Sequence, residues 1–455
     1  MAALEMKYEK TVKIALLGAG TVGTQVARLL NEQHDVLSAR AGANLQLVGI
    51  AVRHLDAPRD PAIDRDLLTD DAQALIAQAD IVIELIGGID VPLALVRYAL
   101  ESGASVVTGN KALLATHGPE LYELAAAHDV DLYYEAAVAG AVPVVYGLRE
   151  SLAGDQVNAV TGILNGTTNF ILDEMSTKGL SFEEALAIAQ DLGYAEADPS
   201  ADVDGFDAAA KIAILASLAF HTRVNISDVH VQGIRSITAD DIASAQRAGY
   251  VIKLIASARR HANGISLVVT PSLVGAENPL ASVRGSFNAV VIDAVSADRL
   301  MFYGRGAGGA PTASAVLSDV VAAAAKKVVG GQAPRELVIA QLPVIESDQA
   351  TLQFYIKVLV GDSIGVLSAI TRVFADNDVS ISSIRQRPLN AAEVAAVRDA
   401  DGGVADGEKA DGEKLAYLTV ITHNSLHKNM RGVVNALSST PGVRRVVNVL
   451  RVEED

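Results

Sequence analysis

Asp207 and Lys211 stand four residues apart in DGFDAAAKIAILASLAF (204–220), where every residue from Ala208 to Ala216 except Lys211 is apolar or small. That i,i+4 spacing puts both charges on one face of a helix. An exposed pair of this kind stabilises by only about 0.2–0.5 kcal/mol. A buried pair costs several kcal/mol per ion before attraction repays it, and makes sense mainly where a poised charge is needed. Local sequence leaves both open. Just upstream, LGYAEADPSADVDG carries Glu196, Asp198, Asp202 and Asp204, a solvated acidic loop or a cation-binding one. A second lysine, Lys111 in TGNKALLA, follows a predicted strand. Open parallel sheets bind ligands at that end of their strands, but a surface lysine in a first helical turn fits equally well.

A phosphate-binding signal lies near the start. GAGTVG places Gly18, Gly20 and Gly23 between an apolar strand run, VKIALLG, and a helical pattern from Val22 to about Asn31. Glycines there allow a tight turn and let the backbone approach a pyrophosphate seated on the helix N-terminus. An acid at the end of the second strand would hold an unmodified ribose. Here VGIAVRHL supplies Arg53, a cation suited to a 2′-phosphate, so NADP(H) is favoured over NAD(H).

These residues need a scaffold, and the pattern supplies one. Further buried-strand runs, LQLVGIAV, ADIVIELIG and ASVVTGN, alternate with helical segments such as VPLALVRYALESG. That rhythm predicts a parallel α/β sheet over about 1–148. From Arg149 a mixed α+β region begins, to about residue 304. In it SFEEALAIAQDLG opens with a capping box, Ser181 and Glu184, and ends at Gly193. GRGAGGAPTASAV starts a late helix with Pro311 in its first turn, and residues 305–345 are expected to complete the first unit. The strands and helices of 350–455 run βαββαβ, a ferredoxin-like order. The acidic, nearly repetitive stretch 390–414 is expected to be a solvated loop insertion.

Composition bounds the partners. The 455 residues are half hydrophobic and one-fifth charged, enough for several cores and against disorder. A net charge of −17 argues against general nucleic-acid binding. No membrane-spanning run and no secretory leader are evident, and the chain has no cysteine, which fits a cytoplasmic location and removes thiolate chemistry.

Taken together, GAGTVG, TGNKALLA, YEAAVAGAVPVV, GILNGTTNFIL, LGYAEADPSADVDGFDAAAK and GRGAGGAPTASAV resemble, in order and spacing, homoserine dehydrogenase over residues 11 to 330. The last unit resembles an ACT domain, a small-molecule sensor. The resemblance implies a Rossmann-type cofactor domain, a catalytic and dimerisation domain, and a regulatory tail. It implies NAD(P)H-dependent interconversion of aspartate semialdehyde and homoserine, on the branch toward threonine, isoleucine and methionine.

Residue by residue, it implies that Gly18, Gly20, Thr21, Val22 and Gly23 form the cofactor loop, with Gly87 on the nicotinamide side and Gly306 and Gly308 in a returning loop. Lys111 matches the lysine at the cofactor–substrate junction, Glu196 and Asp207 match substrate-binding acids, and Gly193 lies beside Glu196. Lys211 matches the proton donor and acceptor. Glu135, Val138, Gly140 and Val142 match a loop whose backbone oxygens hold sodium or potassium. Two departures are Gly109, where Ala or Pro often precedes the Asn-Lys pair, and Ala201, where some relatives carry an aspartate that Asp202 can replace.

In this scheme burial lowers the Lys211 pKa against the opposing pull of Asp207, and a nearby Lys111 lowers it further. Threonine is the expected effector, and a homodimer or homotetramer the expected assembly. A non-catalytic nucleotide-binding, amino-acid-sensing regulator is the alternative from another class. A reductase of a different small amino-acid aldehyde is the nearer rival.

Overall fold

The apolar runs of the first third become six parallel strands: β1 (Thr11–Leu17), β2 (Asn44–Ala51), β3 (Leu68–Thr69), β4 (Ile81–Glu84), β5 (Ser105–Thr108) and β6 (Leu132–Tyr133). The computed structural model describes residues 8–334, 336, 338–345, 351–400 and 414–453. Strand order is β3-β2-β1-β4-β5-β6. Every residue of β4 and β5 is buried, as a sheet covered on both faces requires. The covering helices are α1 (Thr21–Glu32), α2 (His34–Ala41), α3 (Ala72–Ile76), α4 (Asp90–Glu101) and α5 (Lys111–Ala127). From far along the chain α12 (Gly309–Val329) returns to this sheet and sets Ala313, Val316 and Val320 against Val26 and Leu30 of α1. The order reverses between β1 and β4, and that switch point opens a crevice at the strands' carboxyl ends.

A short α6 (Val144–Tyr146) leads into the second sheet, built from β7 (Val157–Ile163), β8 (His230–Val231), β9 (Tyr250–His261), β10 (Gly264–Gly275), β11 (Phe287–Ala294) and β12 (Arg299–Arg305). With it go α7 (Gly166–Lys178), α8 (Phe182–Asp191), α9 (Ser200–Val203), α10 (Phe206–Phe220) and α11 (Ala239–Arg247). Helix α10 is rich in Ala, Leu and Ile, strong or tolerated helix formers. It lies on β7, β9 and β10 on one side and on α5 on the other. Every residue from Asp207 to Phe220 except Ser217 is buried.

The C-terminal unit comprises β13 (Thr351–Gly361), α13 (Val366–Asp376), β14 (Ile381–Pro388), α14 (Ala391–Ala400), β15 (Leu415–Thr422), β16 (Ser425–Leu426), α15 (His427–Leu437) and β17 (Val443–Glu453). It does not stand apart. Ser272–Val274 of β10 pair in parallel with Arg451–Glu453 of β17. The two regions thereby share one eleven-stranded sheet. Lys357 of β13, 1 % exposed, is ion-paired with Asp240 and lies 3.4 Å from Asp241, both on α11.

One expectation is corrected. The segment 390–414 is not loop throughout, because its first ten or so residues form α14. Asn390 and Glu393 cap its start reciprocally, and Val394 and Val397 pack near Leu359 and Leu415. The acidic repeat 401–413 lies outside the described residues. Among the described residues no helix is long and apolar enough to cross a membrane.

Candidate active site

The carboxyl end of β5 and the N-terminus of α10 meet beside the crevice, and two lysines meet there on one carboxylate. Lys111, the first residue of α5, lies 2.8 Å from Asp207 Oδ1. Lys211 Nζ donates to Asp207 Oδ2 at 2.7 Å and to the Leu164 carbonyl at 2.8 Å. The Lys211 and Asp207 side chains are 11 % and 6 % exposed, whereas Lys111 is 45 % exposed. Lys211 therefore forms the floor of the site and Lys111 its rim. The buried alternative for the i,i+4 pair is the one the fold adopts.

Both lysines are held from behind. The Asn110 side chain caps α5 at Leu113 N–H and donates to the Gly88 carbonyl. Thr108 donates to Glu84, which accepts from Ile86 N–H, so the loops after β4 and β5 are tied together. Gly87 lies in that first loop. On the other side, Asn165 donates to Asp202 at 2.6 Å and to Asp207 at 2.8 Å. Thr167 Oγ1 donates to the Tyr194 carbonyl, fixing the loop that carries Gly193 and Glu196. Glu196 is exposed, and its charge still acts on Lys111.

Burial pushes the Asp207 carboxyl up, but Lys211 and then Lys111 outweigh it and hold it well below the usual carboxylate range. Burial pulls Lys111 down, and Asp207, Asp202 and Glu196 together raise it above its ordinary value. For Lys111 this corrects the expectation of a pKa depressed by the neighbouring ammonium, because Asp207 lies between the two. Asp202 is raised, first by burial, with the Asn165 hydrogen bond opposing. Sequence reasoning missed Asn165 and gave Asp202 only a substitute's part. The Asn165 signal was an asparagine at a strand–helix junction, a cap position.

Next to this cluster lies the glycine loop. A Cβ on Gly23 would fall 2.1 Å from the Gly18 carbonyl, so the turn closes only without one. Gly20 has nothing within 4 Å of such an atom, so the backbone just before Thr21 and Val22 of α1 borders open space. Gly308 and Gly309 begin α12, and Gly309 comes up against Thr21. Arg53 lies two residues beyond β2, exposed, with no hydrogen bond or ion pair among the described residues. A cavity of about 970 Å³ lies elsewhere, between α15, β17 and β10, away from these groups.

The segment Glu135–Val142 is buried except at Ala141. Ala139 and Gly140 both take left-handed φ values, and a Cβ on Gly140 would lie 2.6 Å from the Gly306 carbonyl. Among the described residues no backbone amide donates to the Val138 or Gly140 carbonyls. The Glu135 and Val142 carbonyls, by contrast, accept from Val138 and Val144 N–H. The Glu135 carboxylate is turned away, accepting from Val145 and Tyr146 N–H, and burial pushes it up to about 7. Among the described residues no cluster of acidic, His or Cys side chains is arranged to hold a metal ion.

The chain is 49 % identical over 451 residues to the homoserine dehydrogenase of Corynebacterium glutamicum, covering 98 % of this chain and 96 % of that one. It belongs to the homoserine dehydrogenase family. Family models for the homoserine dehydrogenase NAD-binding domain, for homoserine dehydrogenase and for the ACT domain match residues 18–135, 143–321 and 354–403. A homoserine dehydrogenase crystal structure from Thiobacillus denitrificans superposes with a TM-score of 0.88 at 34 % identity, covering 98 % of this chain and 99 % of that one. A hyperthermophilic archaeal homoserine dehydrogenase in complex with NADPH gives 0.60 at 27 % identity, covering 71 % and all of that chain. The family's α/β architecture, a parallel cofactor sheet, a mixed catalytic sheet and an ACT unit, is the one described above.

Proposed function

We propose that the chain interconverts L-aspartate 4-semialdehyde and L-homoserine, with NADP(H) preferred, through Lys211, Lys111 and Asp207. The single observation that carries this is Asp207 shared by two ammonium groups beside the dinucleotide loop. The Gly18–Gly23 loop would hold the pyrophosphate of the dinucleotide, with Gly87 on the nicotinamide side and Gly306 and Gly308 in the returning loop, and the bound cofactor would supply the hydride. Reduction leaves negative charge on the substrate oxygen. Lys111 and Lys211 stabilise that charge, and Lys211 gives its proton to the oxygen; in oxidation it takes the proton back. Asp207 aims both ammonium groups. Glu196 and Asp202 receive the substrate ammonium, with Gly193 shaping the loop. The carbonyls of Glu135, Val138, Gly140 and Val142 hold sodium or potassium. We place the enzyme in the cytoplasm as a homodimer or homotetramer.

The test is NADPH oxidation by the purified chain with aspartate semialdehyde. No turnover alongside tight threonine binding would favour the non-catalytic regulator. Preference for another amino-acid aldehyde would favour the nearer rival.

The cofactor preference rests on Arg53, with the NADPH complex of the archaeal relative in support. A charge-assisted contact to a 2′-phosphate is worth about 1.5–3 kcal/mol, roughly tenfold to a hundredfold. Arg53→Ala is expected to lower kcat/KM for NADPH by that factor and leave NADH nearly unchanged. Equal losses with both cofactors would remove the assignment. Threonine is proposed to act through the ACT unit, where Gly365 caps α13 beside the fully exposed Ile364 and Asn377 ends the helix. A threonine titration leaving the rate flat would remove that assignment.

A further inference from the structure

We infer that Asn165 is a positioning residue for this reaction: its side-chain amide bridges Asp202 and Asp207 and sets where both carboxylates point. The inference rests on the roles proposed for Asp202, Asp207 and Lys211. Asn165 is 4 % exposed and caps α7. Its Oδ1 accepts from Thr168 N–H at 2.8 Å and from Thr168 Oγ1 at 3.0 Å. That fixes which end of the amide faces the acids. Turned over, it would put an oxygen against two carboxylates and an NH2 against an N–H. The Nδ2 group then has two protons and two acceptors, Asp202 Oδ1 at 2.6 Å and Asp207 Oδ2 at 2.8 Å. The preceding carbonyl, Leu164, takes the Lys211 ammonium. Residues 164 and 165 thus touch all three groups.

The side-chain chemistry selects asparagine. Aspartate caps a helix as well as asparagine does, but an ionised carboxylate has no N–H to give. Serine caps too, with a single proton on a shorter arm. Asp202 faces Asp207 and Lys211 on α10, Lys111 on α5 and Asn165 on α7. On its outer side Arg235 is engaged with Asp204 and Ser200, and Glu196 acts on the same Lys111. Two carboxylates this close repel, and the amide protons between them let both stay ionised. Without those protons Asp202 takes up a proton at higher pH, and the substrate ammonium loses an anionic partner.

Asn165→Asp keeps the capping oxygen, removes both donors and sets a third carboxylate against Asp202 and Asp207. For homoserine oxidation, kcat/KM is expected to fall about tenfold to a hundredfold at neutral pH. KM for homoserine should rise more than kcat falls, and KM for NADP+ should not move. The acid limb of the kcat/KM profile should shift up by about one pH unit, and Tm should fall, because the new carboxylate is buried against Asp202 and Asp207. Asn165→Ala keeps neither cap nor donor, and should show the same displaced limb together with a lower Tm. It serves as the readout if Asn165→Asp fails to fold. An unmoved acid limb and unmoved homoserine KM in the folded variants would overturn the inference. A pH-independent loss that only tracked Tm would overturn it too. Wild-type turnover, and its loss in Lys211→Ala, report separately on the proposed function.

Discussion

Lys211→Ala is expected to lower kcat by about 10²–10⁴, the range supplied by one positioned acid–base group, while NADPH still binds with its wild-type Kd. The geometry makes the two effects separable. Lys211 lies on α10 in the catalytic region, with its ammonium between Asp207 and the Leu164 carbonyl. The loop of Gly18, Gly20 and Gly23 belongs to the other sheet and touches none of these groups through a described hydrogen bond. Truncation also leaves Asp207 paired with Lys111, so the carboxylate is not stranded. Stopped-flow hydride transfer and a fluorescence titration of NADPH would measure the two quantities. Near-normal kcat would transfer the proton role to another group, and weakened NADPH binding would show that Lys211 belongs to the cofactor site.

The second large effect falls on stability as well as rate. Asp207→Ala removes the carboxylate that, among the described residues, alone contacts both ammonium groups, and leaves Lys211 buried with a carbonyl partner. Breaking a buried pair from one side costs about 3–5 kcal/mol, which urea unfolding at pH 7 would read directly. The pH dependence has a definite sign. The folded-state pKa of Asp207 lies below its unfolded value. Its contribution is therefore present above about pH 4 and fades as pH falls from there toward the folded pKa. Lys111 is raised, so its contribution is present below about pH 10.4 and is lost as pH rises through the folded pKa. Asp207→Ala should flatten the acid side of the wild-type stability curve. An unfolding midpoint equal to wild type would mean that the charges are hydrated and the pair is worth little.

The parts of this molecule that sequence reveals are those written in contiguous residues. The first glycine loop, the strand runs and the Ser181–Glu184 cap are local chemistry, and they take the predicted form. The Asp207–Lys211 pair is equally local, yet its burial is decided by α5, β7, β9 and β10 packing around α10. Nothing near Lys111 says that its ammonium reaches a carboxylate 96 positions later in the chain. Asn165 is harder still, because its cap is a local signal and its two donors are spent on residues that fold alone brings near. The helix at 391–400 hid in an acidic, alanine-rich stretch, where two valines three apart were too few to show a face.

The three residue pairs between β10 and β17 have a mechanical consequence. Neighbouring strands in a sheet are rotated by roughly 20–25° in one hand, so a continuous sheet has one twist to share. The ACT strands cannot swing on a free linker as an appended bead would. To turn them against the catalytic strands, ladder pairs must break or the twist must change beneath α10, which rides on β7, β9 and β10. The six-stranded cofactor sheet has no such seam with its neighbour among the described strands. The joint between that sheet and the catalytic strands is instead closed by side chains, with Lys111 of α5 meeting Asp207 of α10 across it.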